Sequence, residues 1–288
     1  MVKTLLGLIG SPRKLGNSEL LVKEIYRHLP EGWELKLLRL PQLDIRSCKG
    51  CYQCLFGKMT CIQKDDFQLA LDALVHADAY VVASPTYVFG ANASLKRFLD
   101  RGLSFYRHVD ALWGKPAVGA VIAGFPGLEG YAKLTVDSFI KFTLAEHRGS
   151  EVVYAALPGE IFLHDAGKEA AKRLASALIS GKRASEDEPP APRCQLCGGD
   201  TFRFVEGGRM KCMLCSHEGG YQWENEQLQI DIRRGKHPIF LTREDVKKHL
   251  EFLQGMKEKF AAERKQLKEV VSRYAEEGTW IRPPLAEG

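Results

Sequence analysis

Short apolar runs alternate with amphipathic segments along residues 1–181. The apolar runs lie at residues 4–9, 33–40, 79–84, 117–123 and 152–157, and runs of this length and character predict buried strands. The stretches between them carry apolar residues at helical spacing, which predicts helices ending near residue 29 and spanning 65–75, 93–101, 134–147 and 166–179. The alternation predicts an α/β fold, a doubly wound five-stranded parallel sheet with ligands bound at the carboxyl ends of its strands.

The chain changes character after this domain, to which we assign residues 1–183. Residues 184–192 are acidic and rich in proline, which is typical of a linker. Residues 193–232 contain four cysteines and predict a small metal ribbon. The remainder, 233–288, is predicted to be a helical tail.

The tail contains a long amphipathic helix, predicted at residues 243–275. Thr242 is the expected N-cap, with Asp245 three residues further on. The apolar positions of this helix form one stripe, made of Val246, Leu250, Leu253, Met256, Phe260, Leu267, Val270 and Tyr274. We expect this stripe to dock onto the body of the protein or onto a second subunit.

Composition narrows the class of protein. Of 288 residues, 45% are hydrophobic and 27% are charged, as in ordinary soluble globular proteins. No apolar run approaches the roughly 20 residues that span a bilayer, and the apolar N-terminus has no cleavage pattern of a signal peptide, so we expect a cytoplasmic protein with no membrane partner. The mild net charge of +5 and the acidic residues interleaved with the basic ones in the tail argue against nucleic-acid binding.

The eight cysteines fall into two sets of four. The first set has the spacing C-x2-C-x2-C-x6-C, in a loop at residues 44–62, and its members are Cys48, Cys51, Cys54 and Cys61. Three thiolates within seven residues suit a cubane cluster, because each iron takes one thiolate, whereas zinc favours two C-x2-C pairs set further apart. The alternatives are a small zinc loop or free thiols.

The second set has the spacing C-x2-C-x14-C-x2-C and consists of Cys194, Cys197, Cys212 and Cys215. Two C-x2-C pairs at this separation predict a tetrahedral four-thiolate site, as in a zinc ribbon. Rubredoxin-type iron uses the same four sulfurs, so the sequence leaves Zn²⁺ and iron open. His217 lies two residues after Cys215 and is an alternative ligand, although four thiolates are already sufficient.

The loop after the first predicted strand resembles an anion cradle. Its polar and glycine residues are Ser11, Arg13, Lys14, Gly16, Asn17 and Ser18. Hydroxyl, amide and backbone N–H groups converge there at the N-terminus of a helix, whose partial positive charge favours phosphate. Neither a P-loop nor a dinucleotide-binding fingerprint is present. The alternative is a polar turn that only caps the helix.

A second loop, after the strand at residues 79–84, has the composition of a wall for a flat heteroaromatic ring. Its residues are Pro85, Thr86, Tyr87, Phe89 and Gly90. Aromatic side chains can stack on a ring while backbone N–H groups bond its rim. The alternative is a loop whose aromatic residues only cover the core.

These two loops, the first cysteine set and the segment Leu95-Lys96-x-Phe98-x-Asp100-Arg101 together resemble the iron–sulfur flavoprotein branch of the NADPH-dependent FMN reductase family. The resemblance implies a flavodoxin-like fold with strand order 2-1-3-4-5. It implies that the first loop holds the phosphate of FMN, that the second lines the isoalloxazine and that the first four cysteines hold [4Fe-4S]. The third flavin loop of the family is variable, and Gly124, with Gly127 and Gly130, is its candidate by position.

The resemblance also implies a function. The expected protein is an oxidoreductase that moves electrons between NAD(P)H or ferredoxin and an unidentified acceptor, as a homodimer or homotetramer. No side chain is assigned an acid–base role. The alternatives are a flavin or quinone reductase without a cluster and a redox sensor that does not turn over.

Overall fold

Six strands of the N-terminal domain form one sheet in the computed structural model, which describes residues 2–181, 192–236 and 240–281. The strands are β1 (Lys3–Ile9), β2 (Trp33–Arg39), β3 (Ala79–Tyr87), β4 (Gly90–Ala91), β5 (Pro116–Ala123) and β6 (Glu146–Tyr154). The parallel strands follow the order β2-β1-β3-β5-β6. Counting these five alone gives 2-1-3-4-5, so the predicted flavodoxin-like order is confirmed.

Strand β4 was not predicted, and it alters the carboxyl end of β3. The strand β3 runs past the sheet and pairs with β4 in an antiparallel hairpin, with Tyr87 opposite Gly90. Val88 and Phe89 form the tip of this hairpin, both with positive φ. The hairpin therefore holds the second predicted ligand loop above the strand ends, where ligands of this fold class bind.

Helices cover both faces of the sheet, as predicted. They are α1 (Asn17–Arg27), α2 (Phe67–His76), α3 (Ala93–Leu99), α4 (Val109–Leu112), α5 (Ala132–Phe142) and α6 (Asp165–Ser180). Apolar residues of α1 and α6 form one core with the sheet, and those of α2, α3 and α5 form the other. The second core includes four fully buried rings, those of Phe67, Phe98, Phe105 and Phe139.

The prediction for the α5–β6 region was wrong at its boundaries. Helix α5 ends at Phe142, and Leu144 has a positive φ, so the chain turns there. Residues Glu146 and His147, predicted as helix, belong to β6. Because β6 lies at the edge of the sheet, its first half tolerates polar residues and lacks the continuous apolar run that marks a central strand.

The C-terminal region forms a second, smaller sheet and a long helix. Strands β7 (Phe202–Val205), β8 (Arg209–Cys212), β9 (Glu218–Glu224) and β10 (Gln227–Arg233) form an antiparallel sheet, and α7 spans Arg243–Ser272. Thr242 and Asp245 form a capping box at the start of α7, which confirms the predicted cap. The predicted linker lies outside the described residues except for Pro192.

The ribbon packs against α5. Leu134 contacts the apolar core of the ribbon, and Lys133 Nζ lies 2.8 Å from a carboxylate oxygen of Asp200. The apolar stripe of α7 has two halves: Val246 is fully buried, whereas Phe260 is 57% exposed. Within the described residues, no helix combines the length and the apolar character needed to cross a bilayer.

Candidate functional site

A cavity of about 220 Å³ lies at the carboxyl ends of the central strands. Its walls include Ser11, Arg13, Gly16, Asn17, Ser18, Pro85, Thr86, Tyr87 and Gly124, all of which are predicted ligand residues, together with Ile122, Ala155, Ala156 and Pro158. Lys14, Phe89 and Gly90 do not line it. The structure therefore brings the two predicted ligand loops together around one space.

The first loop presents the N-terminus of α1 to this cavity. Gly16 is the N-cap of α1 and has no side chain to accept a hydrogen bond. The N–H groups of the first turn are therefore not capped by an N-cap side chain. Ser11 and Ser18 are buried, whereas Arg13 is exposed. Free N–H groups and the helix dipole favour an anion at such a position.

A buried ion pair, which the sequence pattern did not reveal, supports the first loop from behind. Arg39, the last residue of β2, donates to the carbonyl oxygens of Ser11 and Arg13 at 2.8 and 2.6 Å. It also lies 2.5 Å from Glu19, which accepts the N–H of Leu15. Burial favours the neutral acid, but hydrogen bonds from Lys23, Leu15 and Arg39 lower the pKa of Glu19 to about 2, so this carboxylate remains charged.

Asn17, which lines the cavity, also bonds to a distant segment of the chain. Its side-chain amide donates to the carbonyl of Leu157 at 2.9 Å and accepts the N–H of Gly159 at 2.9 Å. Asn17 therefore links the first loop to the segment after β6. That segment forms a third wall of the cavity, through Ala155, Ala156 and Pro158, which the sequence did not indicate.

The second loop leaves one buried polar atom without a protein partner. Thr86 Oγ1 is inaccessible to solvent and has no hydrogen-bond partner among the described residues. Burying a hydroxyl without a hydrogen-bond partner costs free energy. A ligand bound in the cavity can accept or donate this missing hydrogen bond. Gly90 faces the ring of Tyr131, and a Cβ there would approach that ring to 2.8 Å, which explains the glycine without a ligand contact.

The first cysteine set lies in the loop between β2 and α2. Cys48 and Cys51 are exposed, and Cys54 and Cys61 are half-buried. No three of these sulfurs lie within 4.8 Å of one another, in contrast to those of the second cysteine set. Burial raises the pKa of the Cys54 thiol, and the Ser104 hydroxyl beside it acts in the opposite direction.

The second cysteine set converges on one point. All four sulfurs lie within 4.8 Å of one another, with Cys194 Sγ 3.7 Å from Cys215 Sγ and Cys197 Sγ 3.6 Å from Cys212 Sγ. A tetrahedral site with metal–sulfur bonds of about 2.3 Å has edges of about 3.8 Å. This geometry is that of a four-thiolate metal site. His217 is not a member of the group, and its Nδ1 bonds the carbonyl of Cys215 at 2.9 Å.

Lys141 of α5 lies close to this second set. Its ammonium donates to the carbonyl of Phe240 at 3.0 Å. Burial lowers the pKa of Lys141, and the four ionised thiols act in the opposite direction. Because four thiolates and one divalent ion carry a net charge of −2, a buried cation at this interface favours the metal-bound ribbon.

The family model for NADPH-dependent FMN reductases matches residues 4–147, half of the chain. The chain belongs to this family. An iron-sulfur flavoprotein of Archaeoglobus fulgidus is 29% identical over 180 residues, which cover 62% of this chain and 81% of the relative. An iron-sulfur flavoprotein of Methanocaldococcus jannaschii is 30% identical over 198 residues, which cover 63% of this chain and 95% of the relative.

Membership of the FMN reductase family makes this protein a flavin-dependent oxidoreductase. The family model ends at residue 147, so the ribbon and α7 lie beyond it. A solved structure of a flavone reductase matches 97% of this chain and 99% of its own, with a TM-score of 0.70 and 17% identity. At this identity the likeness shows a shared fold, and it extends to the C-terminal region.

This FMN reductase family member has a second, larger cavity of about 890 Å³ between α3, α5 and the start of α7. Its lining is mainly apolar and includes Leu103, Phe105, Phe142 and Phe240. None of the predicted cofactor residues lines it. The smaller cavity at the strand ends, which combines an open helix N-terminus with an unpaired hydroxyl, is therefore the better candidate for the flavin site.

Proposed function

We propose that this oxidoreductase holds FMN in the strand-end cavity and a [4Fe-4S] cluster in the first cysteine loop, and moves electrons between NAD(P)H or ferredoxin and a separate acceptor. The observation that carries the proposal is the position of α3 between the two sites. Asn92 caps the start of α3 through Ser94 N at 2.9 Å, and its own N–H donates to Ser84 Oγ at 3.0 Å. The start of α3 is thus tied to the second ligand loop.

The other end of α3 leads to the cysteine loop. Arg101 follows the helix and donates to Cys61 Sγ. Helix α3 has seven residues, which corresponds to about 11 Å of helical rise. One short element therefore connects the proposed flavin loop to a proposed cluster ligand.

Each part of the cavity would have a separate task toward FMN. The first-turn N–H groups of α1, with Ser11, Ser18 and Arg13, would hold the phosphate. Thr86 would hydrogen-bond the flavin, and Pro85, Tyr87 and Gly124 would line its ring. The residues outside the cavity would act indirectly: Lys14 through its charge, and Phe89 and Gly90 through the shape of the hairpin.

The first cysteine loop suits a cluster better than a single ion. Its spacing places three thiols within seven residues, and each iron of a cubane takes one thiolate. FMN accepts two electrons as hydride and a cluster carries one, so holding both would allow exchange between two-electron and one-electron chemistry. The chain would contribute ligand placement and partial exclusion of water.

For the second cysteine set we propose structural zinc. The four sulfurs form a closed site, three of the four cysteines are buried, and closed four-thiolate zinc sites contribute folding energy. Iron in the same ligand set is the alternative, and it would make the ribbon an electron carrier.

We also propose that α7 pairs with a second copy of the chain. Val246, Leu253, Phe260 and Leu267 recur every seventh residue, the spacing of a helix-packing seam. Val246 and Leu253 pack against the body of the same chain, whereas Phe260 and Leu267 are 57% and 38% exposed. The seam thus continues from an existing contact into solvent, and another helix with the same repeat would cover it.

The oligomer is tested by light scattering on the eluting protein. Phe260→Asp with Leu267→Asp is expected to reduce the molar mass of the wild-type assembly. The matched control, Ala262→Asp with Gln266→Asp, adds the same charge away from the seam and should leave the mass unchanged. A monomeric wild-type protein, or equal effects of both variants, would contradict the pairing.

The cofactors are tested by anaerobic purification followed by analysis of flavin, iron, sulfide and metals per chain. We expect about one FMN, about four irons with about four sulfides, and about one zinc. Flavin without acid-labile sulfide would favour the reductase without a cluster. One extra iron in place of zinc would favour the iron ribbon.

A variant assigns the cluster to its loop. Cys51→Ser is expected to abolish cluster absorption while FMN remains bound. Ser47→Ala, in the same loop and four residues away, is the matched control and should retain both cofactors. Loss of both cofactors in Cys51→Ser would indicate that the loop has a structural role instead.

A further inference from the structure

A buried guanidinium lies against one of the first four cysteines. Arg101 Nη2 donates to Cys61 Sγ at 3.1 Å. The side chain of Arg101 is 1% exposed, so water does not compete for this hydrogen bond. Arg101 is the last residue of the segment 95–101, which contributes to the family resemblance. No role was predicted for it from the sequence.

Asp65 and Phe67 fix the guanidinium in this position. Arg101 Nη1 lies 2.5 Å from Asp65 Oδ2, and the Asp65 side chain is fully buried. The backbone N–H groups of Arg46 and Phe67 also donate to Asp65, at 2.9 and 3.2 Å. The guanidinium carbon lies 4.1 Å from the centre of the Phe67 ring. Two contacts therefore hold the guanidinium that faces Cys61, and two further hydrogen bonds hold Asp65 beside it.

The ionic state of this pair follows from its surroundings. Burial favours neutral Asp65, but the hydrogen bonds from Arg101 and the two backbone N–H groups hold the pKa of Asp65 below its ordinary value. Arginine stays protonated in proteins. A buried ion pair contributes little net stability compared with an apolar pair of the same size, so stability alone gives a weak reason for this arrangement.

Chemistry at the sulfur gives a stronger reason. A cluster gains one negative charge when it is reduced, and hydrogen bonds to its sulfurs and nearby positive charge raise its reduction potential. The Arg101 N–H supplies the hydrogen bond to a thiolate ligand, whereas the ionised Asp65 offsets much of the positive charge of the guanidinium. Arg107, in the same region, donates instead to the carbonyl of Lys58 at 3.0 Å. Another N–H donor to a thiol of this set is the backbone of Gly50, 3.4 Å from Cys48 Sγ.

We propose that Arg101, held by Asp65, is a positioning residue that orients Cys61 as a cluster ligand and raises the reduction potential of the cluster. The proposal rests on the proposed [4Fe-4S] site. Helix α3 joins Arg101 to the proposed flavin loop. Arg101 would therefore set the reduction potential of the cluster at one end of α3, while the other end contacts the flavin loop.

The test is a potentiometric titration of the anaerobic holoprotein, with the reduced cluster followed by electron paramagnetic resonance and the flavin by absorbance. Arg101→Gln is expected to lower the equilibrium constant for cluster reduction at least tenfold, which is 59 mV for a one-electron couple. Arg101→Lys keeps the positive charge but lacks the planar guanidinium that bonds Asp65 and Cys61 together. It should give a smaller shift of the cluster potential in the same direction. Arg107→Gln is the control and should leave the cluster potential unchanged, and the flavin potential should remain constant in all variants.

The outcomes separate this proposal from the one it rests on. If wild-type protein shows no cluster signal, both proposals fail. If the wild-type signal is present and both Arg101 variants keep the wild-type potential, or Arg107→Gln shifts it equally, only the role of Arg101 is refuted. If Arg101→Gln does not fold, the potential of Arg101→Lys decides: a negative shift supports the proposal, and no shift overturns it.

Discussion

The Thr86 hydroxyl can be tested with valine, which replaces it by a methyl group of similar size. Thr86 lines the strand-end cavity, and its Oγ1 is buried with no hydrogen-bond partner in the part of the chain that the structure describes. In the protein without FMN, valine removes an unpaired polar atom. In the protein with FMN, valine removes a hydrogen bond to the ligand. Thr86→Val should therefore change the stability of the free protein and its affinity for FMN in opposite directions.

The magnitudes follow from the burial of this one atom. Burying an unpaired hydroxyl costs about 1–3 kcal/mol in mutational data, so the free energy of unfolding of the FMN-free variant should rise by about 1 kcal/mol. A neutral hydrogen bond contributes about 0.5–1.5 kcal/mol net. Its loss should weaken FMN binding by about two- to thirteenfold.

Two measurements test this prediction. Urea unfolding of FMN-free protein gives the change in stability, and quenching of flavin fluorescence during titration gives the dissociation constant. Thr135→Val is the matched control, because the Thr135 hydroxyl already donates to the carbonyl of Tyr131 at 3.0 Å. That variant should lose about 0.5–1.5 kcal/mol of stability and bind FMN as the wild type does.

The reasoning is refuted if Thr86→Val binds FMN with unchanged affinity, because the flavin then does not use this hydroxyl. Weaker FMN binding without a gain in stability would show that the hydroxyl has another partner in the free protein. Equal effects of Thr86→Val and Thr135→Val on FMN would show that neither measures a local contact.

Three further predictions concern the supports of the sites. Glu19→Gln should destabilise the protein at pH 7, and the difference in stability should disappear as the pH falls from about 4.5 to about 2. The reason is that the folded-state pKa of Glu19 is lowered to about 2, so its contribution to stability is lost on protonation. Urea unfolding midpoints across this pH range test the prediction, and a constant difference between variant and wild type would contradict it. Arg39→Met should weaken FMN binding by flavin titration, since it removes two bonds to loop carbonyls, and an unchanged dissociation constant would exclude this support. A chelator strong enough to remove the ribbon metal should abolish hydrogen-exchange protection in β7–β10 while β1 and β3 stay protected; retained ribbon protection would contradict a metal-dependent fold.

Local pattern was sufficient for the central part of the fold. The continuous apolar runs of β1, β3 and β5 predicted strands buried on both faces, and these strands lie in the middle of the sheet. The edge strand β6 was predicted too short, because its first residues have one face in contact with solvent. The hairpin of β3 and β4 was missed, because two residues of strand leave no periodicity to recognise.

The candidate site divides in the same way. Ser11, Arg13, Ser18 and Thr86 were identified because they lie close together in loops that follow predicted strands, and parallel strands bring such loops together. The support by Arg39 and Glu19 was missed, because it joins residues 20 apart in the chain without a motif. The segment after β6 was also missed, since its contact with Asn17 spans about 140 residues.

Sequence alone determined the residue chemistry of this protein: two sets of four thiols, a loop suited to phosphate and strands suited to a parallel sheet. These properties depend on the type of each side chain and on the spacing of residues within one segment. Spacing within a segment determines local structure, such as turns, cysteine knuckles and helix ends. Tertiary structure alone decided that the second set of thiols converges on one point, that the Thr86 hydroxyl has no hydrogen-bond partner among the described residues and that Arg101 faces Cys61. Each of these facts depends on distances between segments, and such distances are set by the packing of the whole chain.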